Sequence, residues 1–419
     1  MNENLPILPV YGRKATQQRS INTQRKIVAA AIDIAAQQGI AGLTHRVVAQ
    51  RAGVSLAATT YYYKTKSDII ADVSNTLNNG YVEMFSKTNQ RMHRYDVSKS
   101  RPHWFAFRLL QRATKSKRTS NIAWMEILLN QAHHNNNRQL TRQWAQRIEQ
   151  VWSEVTHFYN DEKPDEAARS EIDMTVGFSL MILALELTEQ DVVAVFYEHA
   201  DPFHQWARPE PAGQLDENPK RRITPKAKLT RRRILDETIS ILIEQGASAV
   251  NFRLIAKRAQ LTPAAPSYYF SSPRALLREA QTELFERSKT RYRDAMGTVD
   301  YHNLQIENLI DLTTTVFSRE STESGALNFA NYGIWLEASR TSELRPLIWT
   351  AINDQAQAWH RILSVFNANS TPLDAFLIQA IYIGKLIRIV GLGSASQDLA
   401  QVRKEFSNVL NSLVTSGKI

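Results

Sequence analysis

The sequence predicts an all-α protein that consists of two tandem units of about 200 residues each. Long stretches carry apolar residues at three- and four-residue spacing, as in an amphipathic helix, and strand patterns are nearly absent. Residues 39–63 (GIAGLTHRVVAQRAGVSLAATTYYY) also align without a gap with residues 246–270 (GASAVNFRLIAKRAQLTPAAPSYYF), 207 positions later. Because the period of 207 residues is longer than a solenoid unit, we interpret the repeat as the duplication of a whole domain.

The composition favours a soluble protein with an anionic partner. The 419 residues include 43% hydrophobic residues, enough for the cores of two domains, and carry a formal net charge of +10. This charge favours nucleic acid over a membrane as the partner. The lack of cysteine excludes disulfides and thiolate metal sites, and the N-terminal segment MNENLPILPVYGRK does not have the apolar stretch of a secretory signal. We therefore expect a cytoplasmic protein with no membrane partner.

Each unit begins with an amphipathic helix that ends at a glycine. Gly39 closes the apolar stripe of the first helix and Gly246 closes that of the second, and glycine is a common signal at helix C-termini. The stripes consist of Ile27, Ala31, Ile34 and Ala35 in the first unit and of Ile234, Ile241 and Leu242 in the second. Between the units, residues 201–228 combine prolines with mixed charges and are predicted to form a linker without helix.

The next elements of the first unit have the pattern of a helix-turn-helix. Thr44 is the predicted N-cap of a short helix through Ala52, Gly53 supplies a turn with positive φ, and Ser55 caps a second short helix. The outward residues of this second helix are small or hydroxylated and can approach DNA bases closely: Leu56, Ala57, Thr59, Thr60 and Tyr61. Residues placed to hold phosphates are Arg46, Tyr62 and Lys66, with a basic arm of Arg13, Lys14, Arg19, Arg25 and Lys26.

The second copy departs from the first in its turn and in its second helix. Gln260 replaces the turn glycine, Pro266 is predicted to shorten the second helix, and Arg274 follows the proline that replaces Lys66. The predicted DNA contacts of this copy are Asn251, Arg253, Thr262, Pro263, Ala264, Ser267, Tyr268, Tyr269 and Arg274. The basic run upstream is expected to belong to the same electrostatic surface: Arg221, Arg222, Lys226, Lys228, Arg231, Arg232 and Arg233. Either this copy is a divergent DNA reader or it is a degenerate copy kept for packing.

This set of motifs resembles the TetR family of bacterial transcriptional regulators. The family signature is a first helix that ends in glycine, a short helix with A-x-x-A-G-V-S, and a tyrosine-rich segment that ends in K-x-K. This chain has AQRAGVS at residues 49–55 and YYYKTK at residues 61–66, followed by SDII. The resemblance implies DNA binding by the N-terminal module. It also implies a C-terminal helical domain that binds a small effector and dimerises.

The resemblance and the repeat together predict two tandem TetR-like units. Each unit is expected to have an N-terminal helix-turn-helix domain and a C-terminal helical effector-binding and dimerisation domain. The predicted boundaries are a basic arm at 1–21, a first helix-turn-helix domain at 22–82, a first regulatory domain at 83–200, a linker at 201–228, a second helix-turn-helix domain at 229–289, and a second regulatory domain at 290–419.

Aromatic residues of the regulatory domains are candidates for the effector site. Trp124 and Trp335 belong to corresponding WME and WLE segments, and Phe178 lies in a long apolar helix. Such side chains either line a pocket between helices or form an ordinary bundle core. Of the aromatic residues in the repeat, Tyr63 and Phe270 are expected in the core.

Two charged residues of the second unit are further candidates. Lys385 and Arg388 lie at i and i+3 in an otherwise apolar helix, where charges need partners. Three alternatives remain open. The charges pair with Glu186 across the two halves, they bind a carboxylate-bearing ligand, or they lie on a solvated edge of the helix.

These observations predict a sequence-specific DNA-binding transcriptional regulator. We expect a ligand-responsive repressor whose halves pair within one chain on an operator with unlike half-sites. The alternatives are a two-chain homodimer in which only the first helix-turn-helix reads DNA, and a DNA-binding protein without sequence preference. The sequence has no cysteine nucleophile, G-x-S-x-G, phosphate-binding glycine loop or metal-ligand spacing, so no catalytic residue, metal or cofactor is predicted.

Overall fold

The computed structural model describes residues 18–94, 103–131, 138–157, 164–208, 224–296, 304–393 and 399–416. All regular secondary structure within these ranges is helical. The predicted all-α fold is therefore confirmed.

The first half contains ten helices within the described ranges. They are α1 (Gln18–Gly42), α2 (His45–Ala52), α3 (Leu56–Tyr62), α4 (Lys66–Arg94), α5 (Trp104–Ala113), α6 (Arg118–Gln131), α7 (Arg138–Thr156), α8 (Pro164–Leu185), α9 (Glu189–Phe196) and α10 (Pro202–Gln205).

The second half contains nine helices within the described ranges. They are α11 (Pro225–Gln245), α12 (Phe252–Arg258), α13 (Ala265–Tyr269), α14 (Pro273–Met296), α15 (Ile306–Thr322), α16 (Gly325–Glu337), α17 (Arg345–Phe366), α18 (Pro372–Leu392) and α19 (Leu399–Ser416). A 3₁₀ turn at Ala247–Ala249 follows α11.

The first helix of each unit ends where the sequence predicts. Gly39 has φ 68° and ψ 179°, which interrupts the helical backbone of α1, and Gly246 has φ 81° at the end of α11. The predicted apolar stripes of both helices lie in the core, with Ile27, Ala31, Ile34, Ala35, Ile234, Ile241 and Leu242 fully buried.

The expectation that residues 201–228 form a linker without helix is wrong at both ends. Asp201 caps the short helix α10, and Trp206 after it is fully buried against Phe376 of α18. Pro225 is the first residue of α11, a position where its missing N–H costs no helical hydrogen bond. Residues 209–223 lie outside the described residues.

The two halves are joined where α8 crosses α18. A Cβ atom on Gly177 of α8 would overlap the carbonyl oxygen of Ala380 in α18, and a Cβ on Gly384 of α18 would overlap that of Asp173 in α8. The two glycines are 207 positions apart in the sequence, and so are the two residues they touch. The contact is therefore pseudo-symmetric, with each half supplying one glycine and one carbonyl.

Helix α18 is long and apolar enough to span a membrane by length and composition alone. Within its most apolar window, however, 83% of the residues are buried inside the protein. The helix packs against α8, α17 and α15, so its composition is that of a central core helix.

Substitution of Gly177 tests whether this close approach stabilises the fold. Gly177→Ala is expected to lower the free energy of unfolding by roughly 1–3 kcal/mol, because the new methyl group meets backbone that cannot rotate away. Gly80 in α4 is the matched control, since a Cβ there meets nothing within 4 Å. Gly80→Ala should be neutral or stabilise by up to about 1 kcal/mol. Urea denaturation of both variants makes the comparison, and equal effects would contradict the prediction.

Candidate nucleic-acid interface and cavities

The first helix-turn-helix forms through the caps that the sequence predicts. The Thr44 hydroxyl accepts a hydrogen bond from the Val47 N–H at 3.3 Å, and the Ser55 hydroxyl accepts one from Ala58 at 3.1 Å. Gly53 between the two helices has φ 64°, in the left-handed region that glycine adopts at low cost. We call α1–α3 the first reader and α11–α13 the second reader.

The exposed face of α3 includes four of the five residues predicted to point outward. Leu56 and Tyr61 are 51% and 54% exposed, and Ala57 and Thr60 are also exposed. The prediction for Thr59 is wrong, because it is fully buried and its hydroxyl donates to the Leu56 carbonyl at 2.8 Å.

Tyr62 is buried instead of facing DNA. Its ring belongs to the core, and its hydroxyl is 2.7 Å from the Ser20 hydroxyl in α1. Tyr63 is fully buried, as predicted, and donates to an Asp72 carboxylate oxygen at 2.5 Å. Residues 59, 62 and 63 follow the three- and four-residue spacing of a helix face. This spacing was the signal in the sequence for the inner side, and the prediction for Thr59 and Tyr62 did not use it.

Cations surround the exposed face of the first reader. Arg46 is exposed at the start of α2, and Arg25 and Lys26 are exposed on α1. Lys66 begins α4 and is half-buried; burial lowers the pKa of its ammonium group, and the charge of Glu126 opposes that shift. The predicted arm residues Arg13 and Lys14 lie outside the described residues, and the side chain of Arg19 is not described.

The second reader has the same plan with a shorter second helix. The Asn251 side chain caps α12 by accepting from the Leu254 N–H at 2.9 Å, and Gln260 takes the turn conformation at φ 51°. Helix α13 has five residues, against seven in α3. Pro266 occupies its second position, so the helix begins late enough that the proline interrupts no helical hydrogen bond.

Most of the predicted contact residues of the second reader are accessible. Tyr268 is 61% exposed and Tyr269 is half-buried against the core. The other exposed members are Asn251, Arg253, Thr262, Pro263, Ala264 and Ser267.

Acidic side chains neutralise much of the predicted basic surface of the second reader. Arg232 pairs with Asp236 at 3.0 Å and Glu283 at 3.1 Å, and Arg231 pairs with Glu279. The predicted phosphate contact Arg274 pairs with Glu343 at 3.0 Å. This part of the basic run is therefore engaged within the protein, while Arg221 and Arg222 lie outside the described residues.

The two readers meet at a buried polar cluster that sequence reasoning missed. Glu126 of α6 accepts hydrogen bonds from the Ile40 N–H at 3.0 Å and the Ser248 hydroxyl at 3.3 Å, so it joins the end of α1 to the turn after α11. The Ser248 hydroxyl also accepts from the Ala41 N–H at 3.3 Å. Arg340, which follows α16, pairs with the other Glu126 oxygen at 2.9 Å. We call Glu126, Arg340 and Ser248 the hub.

Two of the aromatic effector candidates belong to the core. Phe178 is fully buried, with its ring centroid 5.1 Å from that of Phe196 and 6.0 Å from that of Trp206. Trp335 is 1% exposed. Trp124 lines a space of only about 70 Å³ in the first half, where its ring lies 5.0 Å from that of Trp144.

Lys385 and Arg388 find their partners in protein carboxylates. Lys385 is fully buried, donates to Asp173 of α8 at 2.8 Å and pairs with Glu405 of α19. Arg388 binds both Asp173 oxygens, at 2.7 and 2.9 Å. The proposed partner Glu186 was wrong, since Glu186 pairs with Arg118 and Arg345, and so was the solvated edge. Because these protein carboxylates satisfy both cations, a carboxylate-bearing ligand is not needed to balance them.

The second half has a cavity of about 830 Å³, open to solvent on one side, between α14, α15, α16, α17 and α18. Its walls are mainly apolar and aromatic, with amide side chains between them and charged groups among the lining residues. The lining includes Phe285, Tyr292, Val316, Asn331, Tyr332, Trp359, Gln379 and Tyr382, together with Lys289, Asp354 and Arg361. The volume of this cavity depends on how five helices pack, which the periodicity of the sequence does not predict.

The buried carboxylate of Glu405 predicts a pH-dependent stability. Burial by itself raises its pKa, but the charges of Lys385, Arg388 and Arg169 outweigh burial and lower the pKa from 4.5 to about 2. Since the folded pKa lies below the unfolded value, Glu405 stabilises the fold above about pH 4.5, and this contribution is lost as the pH falls towards 2.

Glu405→Gln should therefore lower the free energy of unfolding at pH 7 by roughly 3 kcal/mol, and the difference from wild type should shrink between pH 4.5 and 2. Glu307→Gln removes an exposed partner of Arg403 and should change little, typically under about 1 kcal/mol. Urea denaturation over a pH series measures both variants. A Glu405→Gln effect that does not vary with pH would contradict the assignment.

Comparison with known proteins agrees with the geometry of the readers. The family model for bacterial regulatory proteins of the tetR family matches the chain twice, at residues 27–73 and 234–280. No curated protein matches the chain at a significant level. The two matched segments contain both helix-turn-helix motifs, from the buried stripe of the first helix to the start of the fourth. The chain is a tandem TetR-family DNA-binding regulator, with two TetR-type units in one polypeptide.

Proposed function

We propose that this regulator is a cytoplasmic, ligand-responsive repressor whose two halves act as an intrachain pseudo-dimer on one DNA operator. The observation that carries the proposal is the pseudo-symmetric contact of α8 and α18, in which Gly177 and Gly384 each touch the backbone of the other half. Such a contact gives one chain the two DNA-binding domains that a symmetric operator-binding protein obtains from two subunits.

Ion pairs that cross between the halves support the same arrangement. Lys385 and Arg388 of the second half hold Asp173 of the first, and Arg169 of the first half holds Glu405 of the second at 2.7 Å. Separating the halves would remove both cations from Asp173, while Lys385 and Arg388 would keep Glu405 and Arg169 would keep Glu149. Loss of the partners of a buried charge costs several kcal/mol. The halves are therefore expected to stay paired in the free protein.

The two readers differ in the residues that would reach DNA bases. The first presents LAATTY at residues 56–61 and the second PAAPSY at residues 263–268. We infer an operator with unlike half-sites, whose centres lie about one helical turn, roughly 34 Å, apart on one face of the duplex. Repression would be steric, since a protein bound across a promoter excludes other proteins from it.

The ligand response is proposed to lie in the second half. Its cavity of about 830 Å³ falls in the range of small-molecule sites and combines aromatic walls with polar side chains that can orient a ligand. A ligand that binds one arrangement of the readers better than another would change operator affinity by that difference in binding free energy.

A second candidate function is a regulator in which only the first reader contacts DNA and two chains form a homodimer. It is favoured by the five-residue α13 and by the pairing of Arg231, Arg232 and Arg274 with carboxylates. A DNA-binding protein without sequence preference is a third possibility. Excess unrelated DNA separates it from a regulator, because specific binding is typically at least 10³-fold tighter.

Matched tyrosine variants test whether both readers contact DNA. Tyr61 and Tyr268 are equivalent exposed residues, so Tyr61→Ala and Tyr268→Ala should each weaken operator binding about ten-fold or more. In a nuclease footprint of the DNA that flanks the gene, each variant should lose protection in a different half of one asymmetric site. A protected palindrome, with Tyr268→Ala equal to wild type, would support the two-chain alternative instead.

The salt dependence of binding tests the phosphate contacts of the first reader. Because Tyr62 is buried, the remaining candidates are Arg46 and Lys66. Replacing both with alanine should reduce the slope of log K against log salt by about two, roughly one for each phosphate released. Arg403→Ala removes a cation of α19 that pairs with Glu307 and Asp311, and it should leave the slope unchanged. An unchanged slope in the double variant would exclude these phosphate roles.

A further inference from the structure

The equivalent spaces inside the two helical domains differ in volume. Ten residues that line the cavity of the second half lie 207 positions after residues that line the small space of the first half. That space holds about 70 Å³, against about 830 Å³ in the second half. Trp124, Trp144, Trp152, Phe85 and Tyr81 fill it with their rings.

The polar groups of the larger cavity indicate the chemistry of a ligand. Gln379 is 2% exposed, and its Nε2 donates to the Ile352 carbonyl at 3.3 Å and to Gln355 at 3.0 Å. These two bonds identify the nitrogen of the amide group, so the remaining atom, Oε1, is an acceptor. Neither Gln379 Oε1 nor Asn331 Oδ1 has a hydrogen-bond partner in the described protein. Two buried acceptors in an aromatic cavity fit a ring-containing, largely apolar ligand that carries hydroxyl or amino donors.

Helix α16 connects this cavity to the hub. Asn331 and Tyr332 line the cavity, and Glu337 at the end of the same helix pairs with Arg340 at 2.8 Å. Tyr332 and Glu337 are five residues apart, or about 7.5 Å along the helix axis. A ligand that displaces Tyr332 therefore moves the segment that positions Arg340.

Arg340 reaches from the second half into the first reader. Its Nε donates to the Ala36 carbonyl at 2.7 Å and its Nη2 to the Ala35 carbonyl at 3.0 Å, both near the end of α1. The same guanidinium pairs with Glu126, which accepts from the Ile40 N–H. The side chain is 10% exposed, so it has little room to shift without changing these bonds. A cation at carbonyls near the end of a helix stabilises that end.

We infer that one ligand of this class binds in the second half and acts across the chain on the first reader, through α16 and Arg340. The inference rests on the proposed ligand response and specifies its site, its chemistry and its route. In this arrangement the second half binds the ligand, and the first reader changes as a result.

Two naphthalene probes test the site. Fluorescence titration should show one 2-naphthol per chain, bound at least five-fold more tightly than 2-methoxynaphthalene, which has no donor. Asn331→Leu should reduce this preference, whereas Thr175→Val, which removes a hydroxyl in the small space of the first half, should not. Absence of 2-naphthol binding, or equal affinity for the two probes, would overturn the site assignment.

Hydrogen exchange tests the route without DNA. Saturating 2-naphthol should change the exchange rate of the peptide covering residues 38–43 roughly five-fold or more, because that peptide contains the amides of Ile40 and Ala41 at the hub. Arg340→Lys keeps the charge but cannot hydrogen-bond Ala35, Ala36, Glu126 and Glu337 together, so it should bind 2-naphthol and lose this response.

Arg345→Gln is the matched control, since Arg345 also pairs across the halves, with Glu186, and its Nε donates to the Ala338 carbonyl instead of to α1. It should retain the response. An unchanged 38–43 peptide in wild type, or an equal response in Arg340→Lys, would overturn the coupling. Because this assay contains no DNA, its failure is distinct from a failure of the footprint.

Discussion

The contact of α8 with α18 is the constraint on which the arrangement of the two halves depends. Without side chains at Gly177 and Gly384, the backbones of the two helices touch, and interiors packed this closely transmit displacement instead of absorbing it. This contact places Lys385 beside Asp173 of α8. It also brings the end of α1 and the turn after α11 together at Glu126. The position of one reader relative to the other thus follows from helices far from either recognition helix in the sequence.

Duplication gave the halves one plan, and their side chains have since made them unequal. The first reader keeps a glycine turn and a seven-residue second helix, while the second has Gln260 in the turn, a shorter helix and arginines engaged with carboxylates. In the regulatory domains it is the second half that offers the larger cavity. Aromatic rings fill the equivalent space in the first half. The proposed division between a DNA-binding half and a ligand-binding half requires a connection, and Arg340 spans the boundary between the halves.

What could be predicted from the sequence depended on how locally each feature is determined. The caps of α2 and α3 and the glycine ends of α1 and α11 follow from a few neighbouring residues, and they were predicted correctly. Thr59 and Tyr62 were predicted to contact DNA, although the spacing of their own helix puts them inside. The partner of Lys385 lies 212 residues away, and the cavity depends on five helices, so neither could be derived from sequence periodicity.

The buried charges also bear on which halves can pair. In a contact of the first half with itself, the counterpart of Lys385 is Phe178, so Asp173 would be buried without its cation. In a contact of the second half with itself, the counterpart of Asp173 is Ala380, so Lys385 and Arg388 would keep Glu405 but lose the other of their two carboxylates. An uncompensated buried charge costs more than the pair contributes, so the ion pairs act chiefly against like-with-like pairing. Covalent linkage adds a high effective concentration of the correct partner, and together these effects favour pairing of the two unlike halves.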